Sequence, residues 1–201
     1  MQNIRRNLKK GENMPNNMPN KLEILPVCPI NNHFPFHYYD LYYEYQKEMI
    51  NEGYLTGDIE TEEECVEMAK KLGEGFLNNI IYVDGRKVGI ISFQLLGSTN
   101  GEPNVLYIDN IYIEKKLRRL GYATVTLLTI EKELKRMNME NTRIWLYVSK
   151  KNNIAHQFLD NFIKENRYRY IDDTRCSFES EKDEEKAVQT DDKYLFTKIL
   201  L

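Results

Sequence analysis

The stretch that most constrains this chain is a strand, a basic turn and a helix in direct succession. Residues 105–113 read as an apolar β-strand and residues 124–137 as a helix with Val125, Leu128, Ile130 and Leu134 at helical spacing. Between them runs Glu114-Lys115-Lys116-Leu117-Arg118-Arg119-Leu120-Gly121-Tyr122-Ala123. A helix that opens on small residues presents backbone N–H groups with no partner inside the helix. Those donors and the positive end of the helix dipole suit a pyrophosphate. Gly121 lets the backbone come close to such an anion, Ala123 keeps the approach open, and Arg118 and Arg119 bring guanidinium donors.

The rest of the chain frames this unit. Residues 22–27 read as a first strand, and Asn31, Asn32 and Pro35 mark a loop. A helix opens near Phe36 and carries Tyr38, Tyr39, Leu41, Tyr42, Tyr43, Tyr45 and Met49 until Gly53 and Gly57 end it. Thr61-x-x-Glu64 is a capping box for a second helix, with apolar positions Val66, Met68, Ala69, Leu72 and Phe76. Residues 80–83, the Asp84-Gly85 turn and residues 88–96 read as a hairpin. After a loop over 97–103 and the central unit come a strand at 144–148, a helix at 155–163, and strands at 168–171 and 194–200. The order is β-α-α-β-β-β-α-β-α-β-β.

Length and charge narrow the class. A chain of 201 residues with 41% hydrophobic residues suits one domain from residue 21 to 201, with residues 1–20 as a polar tail. A net charge of −3 gives no basic field for nucleic acid. No apolar run approaches the roughly 20 residues that span a bilayer. Cys28, Cys65 and Cys176 form neither a disulfide framework nor a metal spacing, which points to a reducing cytoplasm. His33, His37 and His156 share no ligand spacing either, so no metal is expected. Residues 172–193 hold nine acids and four bases, a solvated acidic loop with a local charge of −5. Trp145 is expected in the core.

Arg118-x-x-Gly121-x-Ala123, with Ile113 five places ahead, resembles the acetyl-CoA-binding motif of the GNAT family of N-acetyltransferases, Arg/Gln-x-x-Gly-x-Gly/Ala. Asn152-x-x-Ala155, after the next strand, matches a second family feature. The resemblance implies an α/β (α+β) acyltransferase fold, with a mixed, mostly antiparallel sheet and helices on both faces. It implies acetyl-CoA as co-substrate, with the pyrophosphate at Arg118, Arg119, Leu120, Gly121, Tyr122 and Ala123. The pantetheine arm would pair with the backbone of Ile111, Tyr112 and Ile113 and meet Asn152. Asn152 reads equally well as a helix cap, as does Asn153.

The implied reaction moves acetyl to a primary amine, on a small molecule or a peptide, by direct attack in a ternary complex. Amines are mostly protonated near neutrality, with pKa values of about 10, so a base is needed. Asp109 is the candidate base or ammonium anchor. Strand alternation sets it on the face of Ile113 and sets Asn110 on the opposite face. A strand aspartate at a solvated edge is the plain alternative. The oxyanion would fall to a backbone N–H near Ile113.

The chain departs from the family where a tyrosine acid usually stands: that position is Leu159. Tyr147, Tyr168 and Tyr170 are substitutes that the sequence does not rank. A thiol pKa of about 8.5 makes the thiolate a tolerable leaving group without an acid. Leu159 also leaves open a non-catalytic acyl-CoA-binding or sensing domain of the same fold. The tyrosines of the first helix wall the acceptor site or simply cover the sheet. Family members are often dimers.

Overall fold

The computed structural model describes residues 21–72, 76–97, 104–139, 142–149, 151–166, 169–171 and 193–199. The tail at 1–20, Tyr168, Leu200 and all but the last residue of the acidic stretch lie outside them.

One seven-stranded sheet organises these residues. Its strands are β1 (Leu22–Val27), β2 (Phe76–Val83), β3 (Arg86–Leu96), β4 (Asn104–Ile113), β5 (Thr142–Ser149), β6 (Arg169–Ile171) and β7 (Lys193–Ile199). The helices are α1 (Tyr38–Asn51), α2 (Glu62–Leu72), α3 (Tyr122–Arg136) and α4 (Asn153–Asn166). The strands lie in the order β1-β2-β3-β4-β5-β7-β6. Every neighbouring pair is antiparallel except β4 and β5. That exception follows from connectivity, because a crossover through α3 returns the chain in the same direction.

Local chemistry sets the boundaries. Thr61 and Glu64 form the expected capping box: Thr61 N–H donates to Glu64 Oε2 at 2.8 Å and Glu64 N–H to Thr61 Oγ1 at 3.3 Å. Asp84 and Gly85 both have positive φ, 48° and 79°, which is the tight turn that matches strand twist. Asp84 also exchanges hydrogen bonds with the backbone of Lys21, fastening the turn to β1. Phe76, expected on the second helix, instead opens β2. Gly73 and Gly75 separate it from Leu72 in sequence, and glycine breaks helical propensity. The helix expected at 124 starts two residues earlier, at Tyr122, because Gly121 takes the cap position.

Two cores cover the two faces of the sheet. Under α3 and α4, Ile81, Ile91, Leu106, Ile108, Ile144 and Leu146 pack against Val125, Leu127, Leu159 and Phe162. Under α1 and α2, Ile80, Ile90 and Tyr112 pack against Tyr38, Leu41, Cys65 and Val66. Ile80, Ile81, Ile90 and Ile91 are all 0% exposed. Each such side chain contributes roughly 1.5–3 kcal/mol from burial, so β2 and β3 form the rigid centre on which β4 is mounted. Trp145, expected in the core, is only half-buried. It alternates with Ile144 and Leu146 and so points away from their core.

Candidate active site

Strand β4 does two things that alternation does not anticipate. First, it loses its parallel neighbour. Pairing with β5 runs from Asn104↔Thr142 to Ile108↔Leu146 and goes no further, although β5 continues to pair with β7 as far as Ser149. The segment Asp109 to Ile113 is therefore held by β3 on one side only. A stretch of backbone with one free edge is a template for an extended ligand carrying amides. Ile111, Tyr112 and Ile113, expected to pair with a pantetheine arm, lie on that segment.

Second, β4 contains a bulge. The register steps from Phe93↔Ile108 to Ser92↔Asn110, so Asp109 is the extra residue. Before it, Leu106 and Ile108 face α3 and α4; after it, Ile111 and Ile113 do. Tyr112 joins the opposite core. The expectation that Asp109 shares a face with Ile113 and that Asn110 opposes it is thus corrected. Asp109 and Asn110 line one cavity beneath α1 and α2, and Asn110 Nδ2 donates to Asp109 Oδ2 at 3.2 Å. Asp109 Oδ1 accepts from the Tyr107 hydroxyl at 3.4 Å.

The basic turn is rigid in parts and open in others. Leu117 is buried in the α3/α4 core and pins it. Gly121, at φ 80° and ψ 3°, is the N-cap of α3 and has no side chain to cap with. The first intrahelical bond recorded is Val125 N–H to Gly121 O, which leaves the N–H groups of Tyr122, Ala123 and Thr124 without a helical acceptor. Arg119, also at positive φ, is exposed. Leu120 is 51% exposed beside it. These features fit a pyrophosphate: backbone donors, the helix dipole and an exposed guanidinium converge on one loop.

Arg118, expected at the pyrophosphate, is also bonded within the protein. Its Nε donates to Ile113 O at 2.9 Å, and its two Nη groups grip the Glu48 carboxylate of α1, with Nη2 to Oε2 at 2.7 Å. The guanidinium also lies 5.4 Å from the Tyr112 ring centroid. Three of its five N–H donors are thereby engaged within the protein. Arg118 thus ties the loop to β4 and α1, while the neighbouring Arg119 side chain is exposed. Glu48→Gln removes one partner of a largely covered pair. We expect a loss of about 1–2 kcal/mol, or a Tm lower by about 2–8 °C in thermal unfolding. An unchanged Tm at low and high salt would show the pair to be ornamental.

Asn152 serves as the cap of α4: its Oδ1 accepts Ala155 N–H at 3.0 Å, leaving the amide Nδ2 to donate elsewhere. Asn153 is the first residue of the helix. His156 Nε2 lies 3.0 Å from Ser149 O and joins α4 to the end of β5. Leu159, where the family tyrosine would stand, is 2% exposed and belongs to the core. Of the substitutes, Tyr147 and Tyr170 are placed only as strand positions, opposite Leu195 and Phe196.

The tyrosines of α1 divide their work. Tyr38 is buried, its hydroxyl donating to Asn78 Oδ1 at 2.9 Å, and Tyr45 packs edge-on to Tyr112 at 5.8 Å between centroids. Tyr38 and Tyr42 also line the cavity, together with Phe34, Cys65, Asn78 and Ser92. Burial raises the pKa of Tyr38, Tyr42 and Tyr45, with nearby Glu60 adding to the rise for Tyr42. These phenols stay protonated, and Tyr38 and Tyr42 act as donors. Burial, then Glu60, pushes the Cys65 thiol up to about 12, so it is no nucleophile.

Glu60 is the residue that sequence reading missed. Its backbone N–H donates to Gln46 Oε1 at 3.0 Å, its carbonyl accepts the Tyr39 hydroxyl at 2.7 Å, and its carboxylate accepts the Tyr42 hydroxyl at 3.0 Å. The available signal was the row Tyr39, Tyr42 and Gln46 on one side of a helix, whose polar tips need a common partner.

Strand β4 thus parts from β5 at the bulge residue that lines the acidic cavity, and the basic loop after β4 opens α3 with no side-chain cap. The profile of the Acetyltransferase (GNAT) family matches residues 33–162, and the chain belongs to that family. Membership implies acyl transfer from acetyl-CoA. An acetyltransferase from Thermus thermophilus is similar in fold at 15% identity, with a TM-score of 0.59 over 88% of this chain and 96% of that one. A probable GNAT acetyltransferase from Chromobacterium violaceum gives 13% identity and a TM-score of 0.60, over 89% and 82%. A putative GNAT acetyltransferase from Bacteroides thetaiotaomicron gives 18% and 0.54, over 89% and 87%. No curated protein matches the chain in sequence. Among the described residues no helix is long and apolar enough to cross a membrane.

Proposed function

We propose that this chain is an acetyl-CoA-dependent N-acetyltransferase with a primary amine as acceptor, working by direct attack in a ternary complex within one domain spanning 21–201. The observation that carries this reading is a coincidence of place. The bulge residue Asp109 lies where β4 leaves β5 and also lines the cavity under α1 and α2. A ligand along the free edge of β4 and a ligand in the cavity would meet there.

Bound acetyl-CoA supplies a thioester carbonyl. The chain's residues do the rest. Tyr122, Ala123 and Thr124 would hold the pyrophosphate through backbone N–H groups, with Arg119 adding charge. Arg118, Glu48 and Leu117 would keep that loop in shape. Asn152 would donate its amide to the pantetheine arm while capping α4. Asp109 would take a proton from the incoming ammonium, its carboxylate oriented by Asn110 and Tyr107.

Release of free thiol from acetyl-CoA, measured across a panel of primary amines, tests the reading. Asp109→Asn should lower kcat by about 10²- to 10⁴-fold while acetyl-CoA still protects against unfolding. Thiol release unaffected by the substitution would remove Asp109 from the mechanism. The buried Leu159 favours one second reading, an acyl-CoA sensor. Acetyl-CoA that binds and remains intact with every amine would establish it.

A further inference from the structure

The cavity under α1 and α2 carries more polar provision than acyl transfer alone requires. Asn110 is 7% exposed, and its Oδ1 is buried with no hydrogen-bond partner, while its Nδ2 is spent on Asp109. A buried carbonyl oxygen without a donor is costly, and it persists in a site where a ligand brings the donor. Two carboxylates, Asp109 and Glu60, line the same space. Glu60 is no loose loop residue, being clamped by Gln46, Tyr39 and Tyr42. An alkylammonium has three N–H donors and no acceptor, so three acceptors around one small space suit it. A hydroxyl, with one donor, would reach only one of them.

Size and surroundings narrow the class. The cavity holds about 40 Å³, room for an ammonium head and a slender chain but not for a sugar ring. Phe34, Tyr38, Met68 and Ala69 give it apolar walls, and Met68 is 46% exposed at the rim. Glu64 lies one helical turn before Met68 on α2, exposed, with one carboxylate oxygen accepting the Thr61 N–H. Residues 38–72 contain ten acids and three lysines, whereas residues 115–136 around the pyrophosphate loop contain seven bases and two acids. The two halves of the site thus carry opposite charge, one for a polyanionic cofactor and one for a cation.

Building on the N-acetyltransferase reading, we propose that the acceptor is a linear aliphatic polyamine. One terminal ammonium enters the cavity at Asn110, Asp109 and Glu60. A second cation along the chain stays outside, against the carboxylates of α2 beginning with Glu64. The bound ammonium loses one proton to Asp109. Its nitrogen lone pair forms the C–N bond as the thioester C–S bond breaks. The second proton passes to the departing sulfur and the third remains on the amide, giving an N-acetyl polyamine and the CoA thiol.

The test compares n-butylamine, 1,4-diaminobutane, spermidine and glucosamine as acceptors by thiol release. Diaminobutane and spermidine should exceed n-butylamine at least tenfold in kcat/KM, with glucosamine inert. Asn110→Leu should leave Tm unchanged or raised, leave KM for acetyl-CoA unchanged, and raise KM for the diamine about tenfold. A purely structural asparagine would leave the last value where it was. Glu64→Gln, on the surface and still able to cap, should narrow the gap between diamine and monoamine. Equal or better use of n-butylamine or glucosamine overturns the proposal. So does protection by acetyl-CoA with no turnover of any diamine, and that outcome leaves the transferase reading standing. Absence of acetyl-CoA protection removes both.

Discussion

Gly121→Glu should give a folded protein that acetyl-CoA no longer protects. The backbone at Gly121 has φ 80°, and a Cβ built there meets nothing within 4 Å. The fold therefore bears only the strain of a left-handed L-residue, about 1–2 kcal/mol. The new carboxylate, by contrast, stands at the N-terminus of α3, where it repels a pyrophosphate and competes for the same N–H groups. Wild type with ligand at about 100 times its Kd should gain roughly 2.7 kcal/mol, read as a rise in Tm. The variant should lose that rise and at least about 100-fold in kcat/KM. Gly121→Ala carries the strain without the charge and should keep most of the ligand effect. Protection that survives the glutamate would move the cofactor site away from this loop.

That experiment bears on the part of the site legible in the sequence. Gly121 and the helix behind it announce themselves locally: a glycine at a helix start, a basic turn before it, an apolar strand before that. The capping box at Thr61 and the turn at Asp84-Gly85 were legible for the same reason, since each is built from residues within four positions of one another. What the sequence hid was long-range. Glu48 and Arg118 are separated by 70 positions, and nothing in the spacing of either names the other. Glu60 lies in a connecting segment and gains its role from side chains of α1, among them Gln46, 14 positions earlier. The bulge at Asp109 is hidden in a subtler way. Strand reading assumes a period of two, and one inserted residue reverses every later assignment. It turned Asp109 and Asn110 from opposed residues into partners, and that change of face is what gives the cavity its acceptors.

Gly89→Ala should be the most damaging single methyl in the described part of the molecule. Gly89 pairs with Ile113 across β3 and β4. An added Cβ would lie 2.0 Å from the Tyr112 carbonyl oxygen, 3.0 Å from its carbon and 3.1 Å from the Ile113 Cα. All three are backbone atoms, so no rotamer change relieves the contact. Either β3 and β4 separate or the end of β4 shifts toward the gap it shares with β5. The first route costs ladder hydrogen bonds beside two fully buried isoleucines. The second narrows the edge where the cofactor would lie. We expect a loss of about 3 kcal/mol or more, hence a Tm lower by about 6–12 °C, and weaker protection by acetyl-CoA in whatever still folds. Gly97, where a Cβ meets nothing within 4 Å, is the matched control, and its alanine variant should unfold within about 1 kcal/mol of wild type. If the two variants unfold together in urea, the close approach at Gly89 does not set the position of β4. The segment from Asp109 to Ile113 would then owe its place to Arg118 and Glu48, a difference that the Glu48→Gln measurement reads directly.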